Sequence, residues 1–296
     1  MFPHSLIRML SIFIVFGILK LSPSRTEYFW ILFSFAMPHF ILALVYSQKY
    51  IKTAFQHTQN YPAAIAFLSL GALSIYYRYP ALSFYFPLHH VLSETYSAHN
   101  SIRGNLKKPL NLNLFVSSRF FLNLFAYCIL LMRNNPYDYL NTFPLIIYVV
   151  GFFISCYIFF SILFRMRLNL KKTMQMDHVV FELTMIFFVV ASLFFRFNIH
   201  LNDIIFYHIV TWVFLPIKGM KKSGFGSVRK FLFWYVVLIL LTLSFTPLAK
   251  TAWGLSPQML GAQFILLTYI HIITSFALSR ANPRWLIRMF KFIPET

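Results

Sequence analysis

The sequence predicts an all-α integral membrane protein, on three observations. Of its 296 residues, 59% are hydrophobic and 11% charged, whereas a soluble domain carries about 25% charged residues. The apolar residues fall in runs, and about 20 residues of helix cross a bilayer core. The 26 Lys and Arg cluster between those runs, against 7 Asp and Glu. A formal charge of +19 on a soluble chain would suggest nucleic acid; on this one the lipid bilayer is the expected partner and nucleic acid is not.

Backbone polar groups in lipid must be satisfied within the segment, so each run is read as a helix broken by charge and proline. About ten transmembrane helices result, at 5–21, 28–47, 62–77, 81–98, 112–132, 143–164, 177–197, 201–217, 231–246 and 257–279. The first is short and flanked by Lys20. No small-residue cleavage site follows it, so it is expected to remain as a signal anchor. The fourth carries Pro87 and three polar groups able to ligate a metal. The fifth holds Arg119 about two turns in, expected either to pair with a site carboxylate or, the reading preferred, to snorkel to the cytosolic boundary. The seventh opens on Asp177, read as an outer partner of the neighbouring histidine or as solvated. Cys128 and Cys156 sit in apolar runs without metal-ligand spacing and read as small core residues.

Orientation follows from the bases, because short cytoplasmic loops accumulate Lys and Arg. Lys49 and Lys52; Arg103, Lys107 and Lys108; Arg165, Arg167, Lys171 and Lys172; and Lys218, Lys221, Lys222, Arg229 and Lys230 fall in every second loop. Arg8 and the tail bases Arg280, Arg284, Arg288 and Lys291 belong to the same side, which places both termini in the cytosol. A polytopic transmembrane domain is expected over 1–280 and a cytosolic amphipathic tail over 281–296. In that tail Asn282, Pro283 at the first helical position and Trp285 predict a short C-terminal interfacial helix. The expected location is a bacterial inner (cytoplasmic) membrane, crossed many times.

Ionisable residues at membrane depth are costly and mark function. His39 falls in the second expected span, His89, His90 and Glu94 in the fourth, His178 and Glu182 in the seventh, His208 in the eighth and His271 in the tenth. With the orientation above, all lie in the cytosolic half of the bilayer. His90 and Glu94, and again His178 and Glu182, are four residues apart, which puts each pair on one helix face. Two antiparallel pairs of this kind can hold two ions with carboxylates between them, as facing helices do in di-iron bundles. Imidazole with carboxylate suits iron, zinc or manganese. The expected metal ligands are therefore His39, His89, His90, Glu94, His178, Glu182, His208 and His271, with His89 about 100° around its helix from His90 and so less directly placed. His4, His57, His99 and His200 with Asp203 lie near boundaries or in loops and are left out of the site. No phosphate-cradling glycine motif or nucleophile elbow occurs.

This pattern predicts a membrane-embedded non-haem oxidoreductase with two irons. It would use oxygen on a lipophilic substrate such as a lipid acyl chain or an isoprenoid or carotenoid, with an electron donor as a further partner. A zinc-dependent intramembrane lipid hydrolase and a proton- or ion-coupled transporter are the alternatives. The clustered His-x-x-His-His boxes of membrane desaturases and alkane hydroxylases are absent. Single histidines dispersed over many spans are similar, in general architecture, to the carotene-cleaving membrane oxygenases, a likeness that implies iron-binding histidines. Met37-Pro38-His39-Phe40 departs from that family's early glycine-rich histidine motif, so no residue role is transferred.

Overall fold

The computed structural model describes residues 4–22, 24–55, 65, 69, 88–95, 109–134, 144–165, 172–195, 199–220, 225–252, 267–268 and 271. Every element among the described residues is a helix: α1 (His4–Leu21), α2 (Arg25–Phe55), α3 (Pro109–Asn134), α4 (Leu145–Arg165), α5 (Lys172–Phe195), α6 (Leu201–Met220) and α7 (Phe225–Ala252). Residues 88–95 are also helical. Six of the helices hold a stretch long and apolar enough to cross a membrane: His4–Leu21, Glu27–Val45, Leu114–Met132, Leu145–Phe164, Met176–Phe195 and Val228–Phe245. These correspond to the first, second, fifth, sixth, seventh and ninth expected spans. The apolar part of α6, Leu201–Phe214, is shorter. Most of the third, fourth and tenth expected spans, and the interfacial tail helix, lie outside the described residues.

Local chemistry explains where several helices start. Ser24 accepts the amide of Glu27 on its Oγ at 3.2 Å and the amide of Tyr28 on its carbonyl at 3.0 Å. Ser24-Arg25-Thr26-Glu27 is the Ser-x-x-Glu signature of a helix start. At α6 the reciprocal arm is made: Asp203 Oδ2 reaches back to the amide of His200 at 2.8 Å. His200 and Asp203, left out of the site on sequence grounds, thus form a helix cap. The start of α1 is capped from a distant helix. Asp177 accepts the amides of His4 and Ser5, each at 2.9 Å, and the Ser5 hydroxyl at 2.5 Å. A carboxylate is favourable there because it meets the positive end of the helix dipole.

The chain forms two compact units, Met1–Ile12 with Phe86–Ile204 and Phe13–Tyr85 with Ile205–Thr296. In the first, α3 lies against α4 and α5, burying Leu122, Ala126 and Ile129 with Phe152, Phe159 and Leu163. The α3–α4 approach is close at Gly151, where an added Cβ would stand 2.7 Å from the Phe125 ring. In the second unit α2 packs on α7 around Leu42, Phe231 and Tyr235, and the Tyr235 hydroxyl donates to the Phe35 carbonyl at 3.0 Å. Only 22% of the α4 span and 17% of the α7 span is buried inside the protein. Their outward Phe153, Tyr157, Phe233 and Leu241 suit a lipid surround, where apolar exposure carries no penalty.

Enlarging Gly151 overpacks a tight helix crossing, which costs about 1–3 kcal/mol. Gly151→Leu is expected to lower the unfolding midpoint in detergent. Gly17→Ala, where a Cβ meets nothing within 4 Å, leaves it unchanged or slightly raised. Thermal unfolding of both variants checks the pair.

Candidate functional site

The eight expected ligands are distributed over the two units rather than gathered in one described cluster. His39, His208 and His271 belong to the second unit; His89, His90, Glu94, His178 and Glu182 belong to the first. All eight are buried.

In the second unit three helices bring imidazoles together. His39 is delivered by α2 directly after Pro38, which removes the N–H that would bond to the Ser34 carbonyl. His208 comes from α6, and His271 is a helical residue further along the chain. One ring nitrogen from each lies within 4.8 Å of the others, and among the described residues this is the set of three or more such groups that could hold a metal ion. His39 Nε2 and His271 Nε2 are 3.0 Å apart. At that distance the two nitrogens share a hydrogen bond, one donating and the other accepting according to the tautomer; an ion bound at about 2.0–2.1 Å from each would take the place of that proton. The His39 ring stands edge-on to His208, with centroids 5.5 Å apart and planes at 89°. Aromatic side chains pack against the set. Trp212 lies 4.3 Å from the His39 ring at 84°, and Phe40 lies 5.4 Å from His271.

The first unit holds a different construction. Glu94 does not stand open for a metal: Arg8 Nη2 donates to its Oε2 at 2.6 Å, with both side chains buried. Arg8 also donates to the Phe181 carbonyl at 2.6 Å and to Asn123 Oδ1 at 3.3 Å. Glu182 is held likewise, by Arg119 Nε on Oε1 at 2.5 Å and by Asn123 Nδ2 on Oε2 at 3.2 Å. The chain of bonds ends at His178, whose Nδ1 lies 3.0 Å from Arg119 Nη2. Nδ1 therefore accepts, which leaves the imidazole proton on Nε2. Both guanidiniums lie over the Phe181 ring, at 3.4 Å for Arg8 and 5.1 Å for Arg119. Arg119 Nη1 has no hydrogen-bond acceptor among the described residues and points among the rings of Phe115, Phe159 and Phe181, each 5.1–5.3 Å from Cζ. Cation–π attraction takes the place of an acceptor. On residues 88–95, His90 Nε2 is hydrogen-bonded to the Tyr127 hydroxyl and lies 3.8 Å from Glu94 Oε1. His89 is buried in the same helix.

One expectation is corrected here. Arg119 does not snorkel; it is 1% exposed and paired with Glu182, as the alternative reading has it. Arg8, counted in sequence only with the bases that set orientation, is equally buried and paired with Glu94. Asp177 is the cap of α1 described above. Asn123 and Tyr127 were missed, although a signal for them exists: Arg119, Asn123 and Tyr127 recur every four residues along α3, a polar stripe on one helix face. Comparison with known proteins gives no matching family model, curated protein or solved structure.

Breaking one arm of this network leaves a charge stranded in an apolar interior, which costs about 3–5 kcal/mol. Arg119→Leu is expected to unfold at markedly lower temperature in detergent, whereas Arg119→Leu combined with Glu182→Leu recovers most of the loss. A double-mutant cycle in unfolding free energy measures the difference, and additive losses would show that the pair is not coupled.

Proposed function

We propose that the chain is a membrane-embedded metalloenzyme in which His39, His208 and His271 would hold a single iron ion, which would supply oxygen chemistry at a C–H or C=C bond of a lipophilic substrate. A lipid acyl chain or an isoprenoid is the substrate class. The observation that carries this reading is the convergence of three buried imidazoles from separate helices, one ring nitrogen of each within 4.8 Å of the others. Imidazole is a common iron donor, and iron bound there supplies redox chemistry with coordination positions left over. The chain's own contribution is to fix the rings and to wall the site with Trp212 and Phe40. Those apolar walls suit a hydrocarbon substrate and oxygen, both of which enter from lipid. An electron donor completes the oxidation cycle as a partner.

Two ions would require Glu94 and Glu182, whose carboxylates are engaged by Arg8 and Arg119; one ion is the version those pairs favour. A second reading, a zinc-dependent intramembrane lipid hydrolase, is favoured by the donor set, since three neutral imidazoles with an open fourth position also make a catalytic zinc site. The aromatic side chains beside it, Trp212 and Phe40, speak against it, because hydrolysis needs a supply of water. The same proposal includes about ten crossings, both termini in the cytosol, a bacterial inner membrane and a centre in its cytosolic half. Its support is the alternation of basic loops in the sequence.

Metal content is the decisive measurement. Purified full-length protein is expected to hold about one iron per chain, because burial of a complete ligand set couples binding to the fold. His39→Ala, His208→Ala and His271→Ala should each lose most of it, while His178→Ala keeps it. Zinc in place of iron would select the hydrolase. Loss of metal on His178→Ala would restore a site built on the His-x-x-x-Glu pairs, and a metal-free protein after iron-replete growth would end the proposal.

A further inference from the structure

We propose that Trp212 is a one-electron donor to the metal centre, an internal source of reducing equivalents beside the three histidines. The inference rests on the iron reading above and extends it. His208 and Trp212 lie four residues apart on α6, so both side chains project from one helix face. The indole meets the His39 ring with centroids 4.3 Å apart and an interplanar angle of 84°. This is van der Waals contact between a prospective iron ligand and the side chain that most readily loses an electron while keeping its proton. Phe40 also touches the imidazoles, 5.6 Å from His39 and 5.4 Å from His271, but a phenyl ring has no heteroatom and is not oxidised under the same conditions.

On its other side Trp212 packs against Phe231 at 5.9 Å, and Phe231 against Tyr235 at 6.0 Å. The ladder of rings stops there chemically. A phenol loses an electron easily only when it can also lose its proton, and the Tyr235 hydroxyl donates to the main-chain carbonyl of Phe35, which cannot take that proton. Trp212 needs no such transfer, because an indole radical cation survives with its proton in place. The oxidised state therefore rests on Trp212.

The step balances simply. Oxygen is the oxidant; when its reduction leaves the centre one electron short and no substrate C–H bond is in reach, Trp212 gives up one electron and the centre gains one. No bond is made or broken in the transfer, the indole becomes its radical cation, and a one-electron reductant such as ascorbate restores it. The geometry gives the centre a route for discharging oxidising equivalents that would otherwise attack the ligating histidines.

The test uses full-length protein in detergent, loaded with iron(II), mixed with oxygen without substrate and frozen for electron paramagnetic resonance. Tryptophan deuterated on the indole ring identifies the radical in the wild-type chain itself. The expected result is an organic radical whose hyperfine pattern changes with the deuterated indole and which is lost in Trp212→Phe, with the iron content of that variant measured alongside. A protein that binds iron and consumes oxygen but shows no indole radical, or shows the same radical in Trp212→Phe, overturns the proposal while leaving the iron reading intact. Failure of the wild-type chain to bind iron ends both, and the metal analysis alone reports it.

Discussion

A guanidinium cannot be left alone in hydrocarbon, and the first structural unit is arranged around that constraint. Arg8 and Arg119 each hold a glutamate at 2.5–2.6 Å, and Asn123 joins the two pairs by accepting from Arg8 and donating to Glu182. The two positive and two negative charges cancel within the network. Because its members come from α1, residues 88–95, α3 and α5, satisfying the charges also fixes how these helices neighbour one another. In lipid the hydrophobic effect does not press helices together, so packing and polar bonds of this kind carry the association. Desolvating the ions is expensive; what the network supplies is specificity, since a helix shifted by one turn would separate each arginine from its carboxylate.

The second unit solves a different problem. Three imidazoles meet without an acid among them, in walls of aromatic rings. Neutral imidazoles can be buried at far less cost than charges, and they are a donor set that could hold a metal ion. The contrast between a self-neutralised ionic network and a neutral triad gives the two units distinct characters: one is held by its charges, the other gathers uncharged donors.

Much of this was legible in the sequence, and the illegible part has a physical explanation. The six long apolar helices follow from hydropathy because the run length is set by bilayer thickness. The caps of α2 and α6, Ser24 with Glu27 and Asp203, are local signals that the sequence carries but that a reading of apolar runs passes over. The unusual burial of His39, His90, Glu94, His178, Glu182, His208 and His271 also follows, because polar groups in apolar runs have few tolerable places. Which of them meet does not follow. Spacing places His178 and Glu182 on one helix face, but the partner of that face is a property of neighbouring helices. Whether Arg119 pairs or snorkels stays open in sequence for a related reason: a base near the end of a span serves either equally well, and only a facing carboxylate decides between them.

The long-range pairing of α1 has a consequence for synthesis. Arg8 and Glu94 are 86 residues apart, and a ribosome adding about 5–20 residues per second takes roughly 4–17 s to cover that interval. The caps on His4 and Ser5 come from Asp177, 173 and 172 residues later. Until those residues are made, the ion pair of Arg8 and the caps of His4 and Ser5 cannot form. Completion of α1 thus waits on chain synthesised long after it, and until then the interfacial region, the insertion machinery or water takes the place of Glu94 and Asp177.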